Sequence, residues 1–170
     1  MAFPSKLKQT TMFNETEAYV AETVSITPPK LTRKMEEYRG GGMNRAVKVD
    51  MGGEPLEMEA TYGGPMRSIL RQHGMLNMSG VYQRFVGSFL NDDTGGVDTI
   101  EIVTRGRHEE IDMGEWKPGE DTEFKVKSNL TYYKLTWNGV VEIEIDVLGM
   151  VEMVGGVDLM APHREALGLG

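Results

Sequence analysis

The sequence predicts a mainly β domain carrying one or two short helices. Two observations lead there: short stretches in which apolar and polar residues alternate with period two, and 21 glycines clustered between those stretches. No internal repeat or low-complexity linker divides the chain. Its 170 residues therefore read as a single domain, 1–170, long enough to bury a core without a metal or disulfide staple.

The elements follow in order. Residues 20–27, 30–39, 46–51 and 56–62 alternate as strands. Pro65 at a first helical position, Met66, Ile69 and Leu70 on one side, and Gly74 as a stop predict a helix of about two turns. Strands resume at 82–90, 97–104, 124–137 and 141–147. Asp158 is an N-cap candidate for a short C-terminal helix, about 158–167, although Pro162 falls inside it.

The pair Asn138-Gly139 marks a hairpin. A two-residue loop would set Leu135 opposite Glu142 and Lys134 opposite Ile143, mixing apolar and charged residues on the same faces. A three-residue loop of Trp137, Asn138 and a left-handed Gly139 restores apolar pairs and sets Lys134 opposite Glu142. Within 124–137 the apolar set runs Phe124, Val126, Leu130 and Tyr132, then changes parity to Tyr133, Leu135 and Trp137. The switch at Tyr132-Tyr133 predicts a bulge, or a strand that passes from one sheet to another.

Charge and composition limit the function. With 18 Lys+Arg against 26 Asp+Glu the net charge is −8, the wrong sign for a general nucleic-acid binder, whose affinity comes from neutralising phosphates. Cysteine is absent, which removes disulfides and thiolate metal sites and fits a reducing compartment. No apolar run approaches the ~20 residues that span a bilayer, and MAFPSKLKQT lacks the apolar stretch of a signal peptide, so a soluble, non-secreted protein is expected.

No group of residues assembles into convincing chemistry. His108-Glu109-Glu110-Ile111-Asp112 holds metal-capable groups but not the i, i+4 histidine pair of a helical zinc site. Asp92 and Asp93 before Thr94-Gly95-Gly96 suit a solvated turn better than a calcium loop. Gly40-Gly41-Gly42 is followed by no Lys-Ser/Thr pair, so it reads as a mobile loop instead of a phosphate cradle. His73, His108 and His163 lack a nucleophile context. No catalytic residue, cofactor or metal is assigned. The 13 methionines serve as flexible core filler, or as adaptable interface surface.

Several stretches resemble the major tail tube protein of contractile-tailed bacteriophages, a family shared with the tubes of R-type pyocins. They are FPSKL near the N-terminus, Pro29 to Lys34 with Glu37 to Met43, the run RGRHEEIDMGEWKPGEDTEFK, Tyr132-Tyr133-Lys134-Leu135, and GGVDLMAPHREALGL at the end. The resemblance implies a two-sheet β-sandwich or barrel-like subunit with short flanking helices, forming hexameric rings that stack into a hollow tube with a continuous inner β-barrel. About four strands per subunit would make twenty-four, which at ~4.8 Å spacing and ~40° tilt give a backbone diameter of roughly 48 Å, wide enough for DNA.

The same resemblance implies a virion tail component assembled in the bacterial host cytoplasm. Implied partners are other copies of itself, a sheath protein outside, a tape-measure protein and passing DNA inside without specific DNA binding, and baseplate and terminator proteins at the ends. The strand over 30–39, polar on both faces, is expected in the inner barrel, where one face is wet and neighbours flank the other. Contacts between subunits or rings are expected at Lys30, Arg33, Lys34, Glu37, Arg39, Gly40, Gly41, Gly42 and Met43. An N-terminal arm, about 1–12, and an inter-ring loop, about 40–53, would order only on contact. Glu142, Glu144 and Asp146 are candidates for a lumen, or for an ordinary polar sheet face.

The alternatives are the tube of a capsid-less R-type bacteriocin, a monomeric β-sandwich binding module whose exposed aromatics would include Trp116 and Trp137, and an acid-based hydrolase using Glu109, Glu110, Asp112 or Glu115.

Overall fold

The structure is a computed structural model that describes residues 2–170. In chain order the elements are β1 (Lys6–Phe13), β2 (Thr23–Thr27), β3 (Arg33–Tyr38), β4 (Val47–Gly53), β5 (Leu56–Tyr62), α1 (Arg67–Leu70), β6 (Val81–Leu90), β7 (Val97–Asp112), β8 (Phe124–Trp137), β9 (Val140–Asp146), β10 (Val151–Val154), β11 (Val157–Asp158) and α2 (Ala161–Ala166). The protein is mainly β with two short helices, as its glycine-punctuated alternation predicts.

One antiparallel sheet runs β1-β6-β7-β8-β9-β10-β11, and it forks at β8. The first half of β8 pairs with β5, from Leu56 opposite Leu130 to Tyr62 opposite Phe124, and β5 pairs in turn with β2. The second half of β8 pairs with β9 instead, from Tyr132 opposite Asp146 to Trp137 opposite Val140. A separate hairpin is made by β3 and β4, so the strand expected in the inner barrel over 30–39 pairs with β4 and not with the main sheet.

Bulges produce the fork. Arg105 lies opposite Tyr132 and Gly106 opposite Leu130, so Thr131 is an extra residue on β8. Burial accordingly falls on Phe124, Val126, Ser128 and Leu130 before the bulge and on Tyr133 after it. The expected parity switch is real, but it sits at Thr131 rather than at Tyr132-Tyr133. Gly106 permits it, since a Cβ there would overlap the Asn129 carbonyl. A second bulge places Glu109 as the extra residue on β7, because His108 faces Ser128 and Glu110 faces Lys127. Strands kinked in this way turn the two halves of the sheet toward one another.

The core fills the space between those halves. Leu56, Met58, Ala60, Tyr62, Phe124 and Val126 from the β5–β8 side pack with Met12, Phe85, Ile102 and Tyr133 from the other. Tyr62 is fully buried and sits edge-on to Tyr19, with ring centroids 5.8 Å apart. Met66 and Ile69 of the α1 turn complete this cluster.

The structure corrects several expectations. The chain after Trp137 turns through a two-residue loop, Asn138-Gly139, with φ of 48° and 83°. The register is repaired elsewhere, by an extra residue at Glu142 that brings Leu135 opposite Ile143, Lys134 opposite Glu144 and Tyr133 opposite Ile145. The apolar and charged faces stay separate through a bulge and not through a third loop residue. The turn is also tied down, since Thr99 N–H donates to Asn138 Oδ1 at 2.8 Å.

The expected N-terminal arm is mostly strand. Residue 1 lies outside the described residues, and from Lys6 onward the chain forms the edge ladder of β1 with β6, with Met12 fully buried. The segment expected to reach the neighbouring ring is a hairpin, in which residues 47–53 are strand β4, close to the strand expected over 46–51, and 39–46 form the tip. The helix at Arg67–Leu70 is one turn, leaving Leu70 exposed, and α2 begins at Ala161 with Pro162 in its first turn, where proline costs no hydrogen bond. Asp158 stands before that helix in β11, accepting the Met160 N–H and pairing with Arg164 at 2.7 Å.

Candidate assembly interface

The predicted contact residues gather on one feature. Arg33, Lys34 and Glu37 lie on β3, Arg39 to Met43 form the hairpin tip, and Lys30 lines an open cleft at its base with Glu54, Glu57 and Lys127. Every residue of β3 is exposed, so the hairpin stands clear of the core. Its base is fixed by Arg33, whose Nε donates to Asp50 Oδ2 at 2.8 Å and whose Nη1 donates to Glu152 Oε1 of β10 at 2.6 Å. The tip is a defined turn: Met43 N–H donates to the Gly40 carbonyl at 3.3 Å, and Arg39 Nε to the Met43 carbonyl at 3.1 Å. Gly42 has φ of 84°, the left-handed conformation that favours glycine.

Alternation gives the hairpin two different faces. One carries Tyr38, Val47 and Val49 with the Lys34–Glu36 pair; the other carries Met35 with Arg33, Glu37, Lys48 and Asp50. Tyr38 is 61% exposed and Val47 51%, an apolar strip left largely open to solvent.

The second feature is a pair of open strand edges, of a kind a tube subunit is expected to leave unblocked but on strands the sequence did not identify. Beyond Gly106, β7 pairs among the described residues only with β8, so residues 107–112 present an open edge. At the other end of the same four strands, β2 is laddered only to β5, which leaves Thr23–Thr27 open as well. Both edges follow from strand pairing, which no local pattern reveals.

Glu142, Glu144 and Asp146 lie on β9, as expected, but their settings differ. Glu142 is the exposed bulge residue, Glu144 faces Lys134 on the side away from the core, and Asp146 accepts the Gly149 N–H at 2.9 Å across the next turn.

Of the candidate acid, base and metal groups, only His108 is buried. Its ring is held from both sides, with Nδ1 2.9 Å from the Ser128 hydroxyl and Nε2 2.8 Å from Gln72 Oε1, an arrangement suited to the neutral imidazole. Burial, with the neighbouring His73 adding to it, pushes the pKa down to about 4. An unfolded histidine takes up its proton near pH 6.5, so the native state loses stability as pH falls below that value, and the loss is complete below about 4. Its size is on the order of 3 kcal/mol. Urea melts at pH 7 and pH 4 are expected to show this loss in the wild type and a smaller one in His108→Gln. Among the described residues no cluster of three or more His, Asp or Glu is arranged to hold a metal ion.

A chain with a projecting hairpin, two open strand edges and polar sheet faces falls in the class of structural assembly subunits. More narrowly, this chain belongs to the phage tail tube protein FII family, whose pattern matches residues 4–168. It is 45% identical over 172 residues to the tail tube protein of Escherichia phage P2, covering 99% of this chain and 100% of that one. It is 37% identical over 175 residues to the major tail tube protein of Serratia phage KSP20, covering 100% of this chain and 99% of the relative. Among solved structures, a chain of the sheath–tube complex of the PVC extracellular contractile injection system superimposes with a TM-score of 0.57 at 10% identity, covering 79% of this chain and 92% of that one.

Proposed function

We propose that this protein is the structural subunit of the inner tube of a contractile phage tail, assembled as stacked six-membered rings around a lumen through which DNA passes. The observation that carries ring closure is the pair of open edges on the four strands β2, β5, the first half of β8 and residues 107–112 of β7. Neighbours in this set are antiparallel and their number is even, so β2 of one copy meets β7 of the next in antiparallel register. The path from β1 to β11 has seven strands, and closing it would force a parallel pairing onto the two residues of β11.

Six such sets give the twenty-four strands of a barrel roughly 48 Å across. The face turned away from the core carries Glu57, Glu59, Glu109, Glu110 and Asp112 against Arg107, Lys125 and Lys127. A lumen lined this way is net acidic and lets phosphates slide without sticking. In this arrangement Glu144 and Asp146 belong to a separate polar face, outside the lumen. The sheath, baseplate and terminator are the partners that relatives of this fold suggest, with a tape-measure protein and DNA inside. Assembly in the host cytoplasm precedes incorporation into the tail. Both named sequence relatives are phage proteins, which favours a phage tail over a bacteriocin.

Negative-stain microscopy of the purified protein at high concentration tests the reading. Hollow rods and annular end views with six-fold symmetry are expected; a population that stays as compact single copies overturns it.

A further inference from the structure

Of the six asparagines in the chain, only Asn138 is followed by glycine. Such a pair is prone to a reaction that other asparagines undergo far more slowly, because glycine carries no Cβ to hinder the approach of its own nitrogen to the preceding side chain. The Gly139 nitrogen gives up its proton to solvent and attacks Asn138 Cγ. The Cγ–Nδ2 bond breaks, Nδ2 takes up a proton and leaves as ammonia, and a cyclic imide is formed. Water then opens the ring at either carbonyl to give aspartate or isoaspartate. Asn138 and Gly139 are both exposed, so water and base reach them freely.

The fold holds the reacting group away from that nitrogen. The tight turn gives Asn138 a φ of 48°, and its side chain reaches across to the start of β7. Asn138 N–H donates to the Thr99 carbonyl at 2.9 Å, Thr99 N–H donates to Asn138 Oδ1 at 2.8 Å, and Asn138 Nδ2 donates to Asp98 Oδ1 at 2.9 Å. The amide has one orientation here, since a backbone N–H only donates and a carboxylate only accepts. The bond from Thr99 polarises the side-chain carbonyl and by itself favours attack. Restraint therefore falls to Asp98, which is half-buried and whose carboxylate keeps Nδ2 on β7, opposing the turn of Cγ toward the Gly139 nitrogen. Ser5 Oγ in turn donates to Asp98 Oδ2 at 3.4 Å and steadies it from the N-terminal side.

We propose that Asn138 is a latent site of spontaneous deamidation, which Asp98 holds unreactive while the subunit is folded. The converted side chain does not fit the native turn. Its carboxylate would stand where Nδ2 now lies 2.9 Å from Asp98, setting like charges side by side with no donor between them. Isoaspartate also adds a methylene to the main chain of a loop whose length fixes the register of β8 with β9. The reaction is therefore confined to copies whose β8–β9 turn has opened, and it keeps those copies from closing it again.

The test follows the full chain over time in mildly alkaline buffer, with peptide mass spectrometry for amide-to-acid conversion at Asn138 and enzymatic methylation for isoaspartate. In the native wild type, conversion is expected to be about tenfold or more slower than in the urea-unfolded chain, the factor that a hydrogen bond to a charged group supplies. Native Asp98→Ala is expected to lose most of that difference, and Asp98→Asn, which keeps a neutral acceptor, to fall between. Circular dichroism checks folding, and the urea midpoint of Asp98→Ala gives its unfolded fraction. Acceleration beyond that fraction is the expected result; acceleration equal to it reports a loosened fold and overturns the role of Asp98. Equal rates in native and unfolded wild type overturn the proposal, as does a native Asp98→Ala that converts no faster than the wild type.

Discussion

Gly106→Ala is expected to unfold the fork on which the two halves of the sheet depend. A Cβ at this position runs into the Asn129 carbonyl and the Leu130 Cα, both backbone groups, so no side-chain rotation relieves the overlap. The flanking bulge at Thr131 is then pushed out of register, and Phe124, Val126 and Leu130 no longer share a core with Tyr133. Overpacking of a rigid site costs about 3 kcal/mol. For a chain of this length that corresponds to a melting point lower by about 6–12 °C. Thermal unfolding followed by circular dichroism measures it. A variant that melts within about 2 °C of the wild type would show that β7 and β8 accommodate a Cβ at their crossing.

The second large effect is expected on assembly. In the free subunit, the amides of Thr23–Thr27 and of residues 107–112 that point away from β5 and β8 have no strand partner. Such groups exchange with solvent through openings of almost no free energy, whereas those in a closed barrel require it to come apart. In assembled tubes their hydrogen exchange is expected to slow by on the order of 10³. The outer amides of β1 offer a contrast, since that edge takes no part in the proposed closure and its rates should change little. Mass spectrometry of free subunit and pelleted tubes separates the cases. Protection gained on β1 but not on β2 and β7 would place the lateral contact on the other edge of the sheet.

A monomer must block its strand edges with charge, proline or short length to avoid aggregation. Here β2 keeps the sequence TVSIT, with no charged residue or proline along the open edge. The cost of that choice is a subunit prone to associate, and association is what a tube requires.

What the sequence by itself determined was local. Period-two alternation located β5 and β8 with their observed limits, 56–62 and 124–137, because a strand buried on one face must alternate whatever it pairs with. Stretches spread over the chain carried its family. The change of parity in β8 announced a bulge before its position was known. Tertiary structure decided the rest. That residues 6–13 are a strand depends on β6, more than seventy residues away in sequence, and the short β10 and β11 exist only through their neighbours. Whether Asn138-Gly139 made a two- or three-residue loop depended on a bulge at Glu142 that no local residue dictates. Side-chain pattern records which face of a strand is buried; only long-range pairing fixes which strands are neighbours, and therefore which edges and charges remain for other copies to meet.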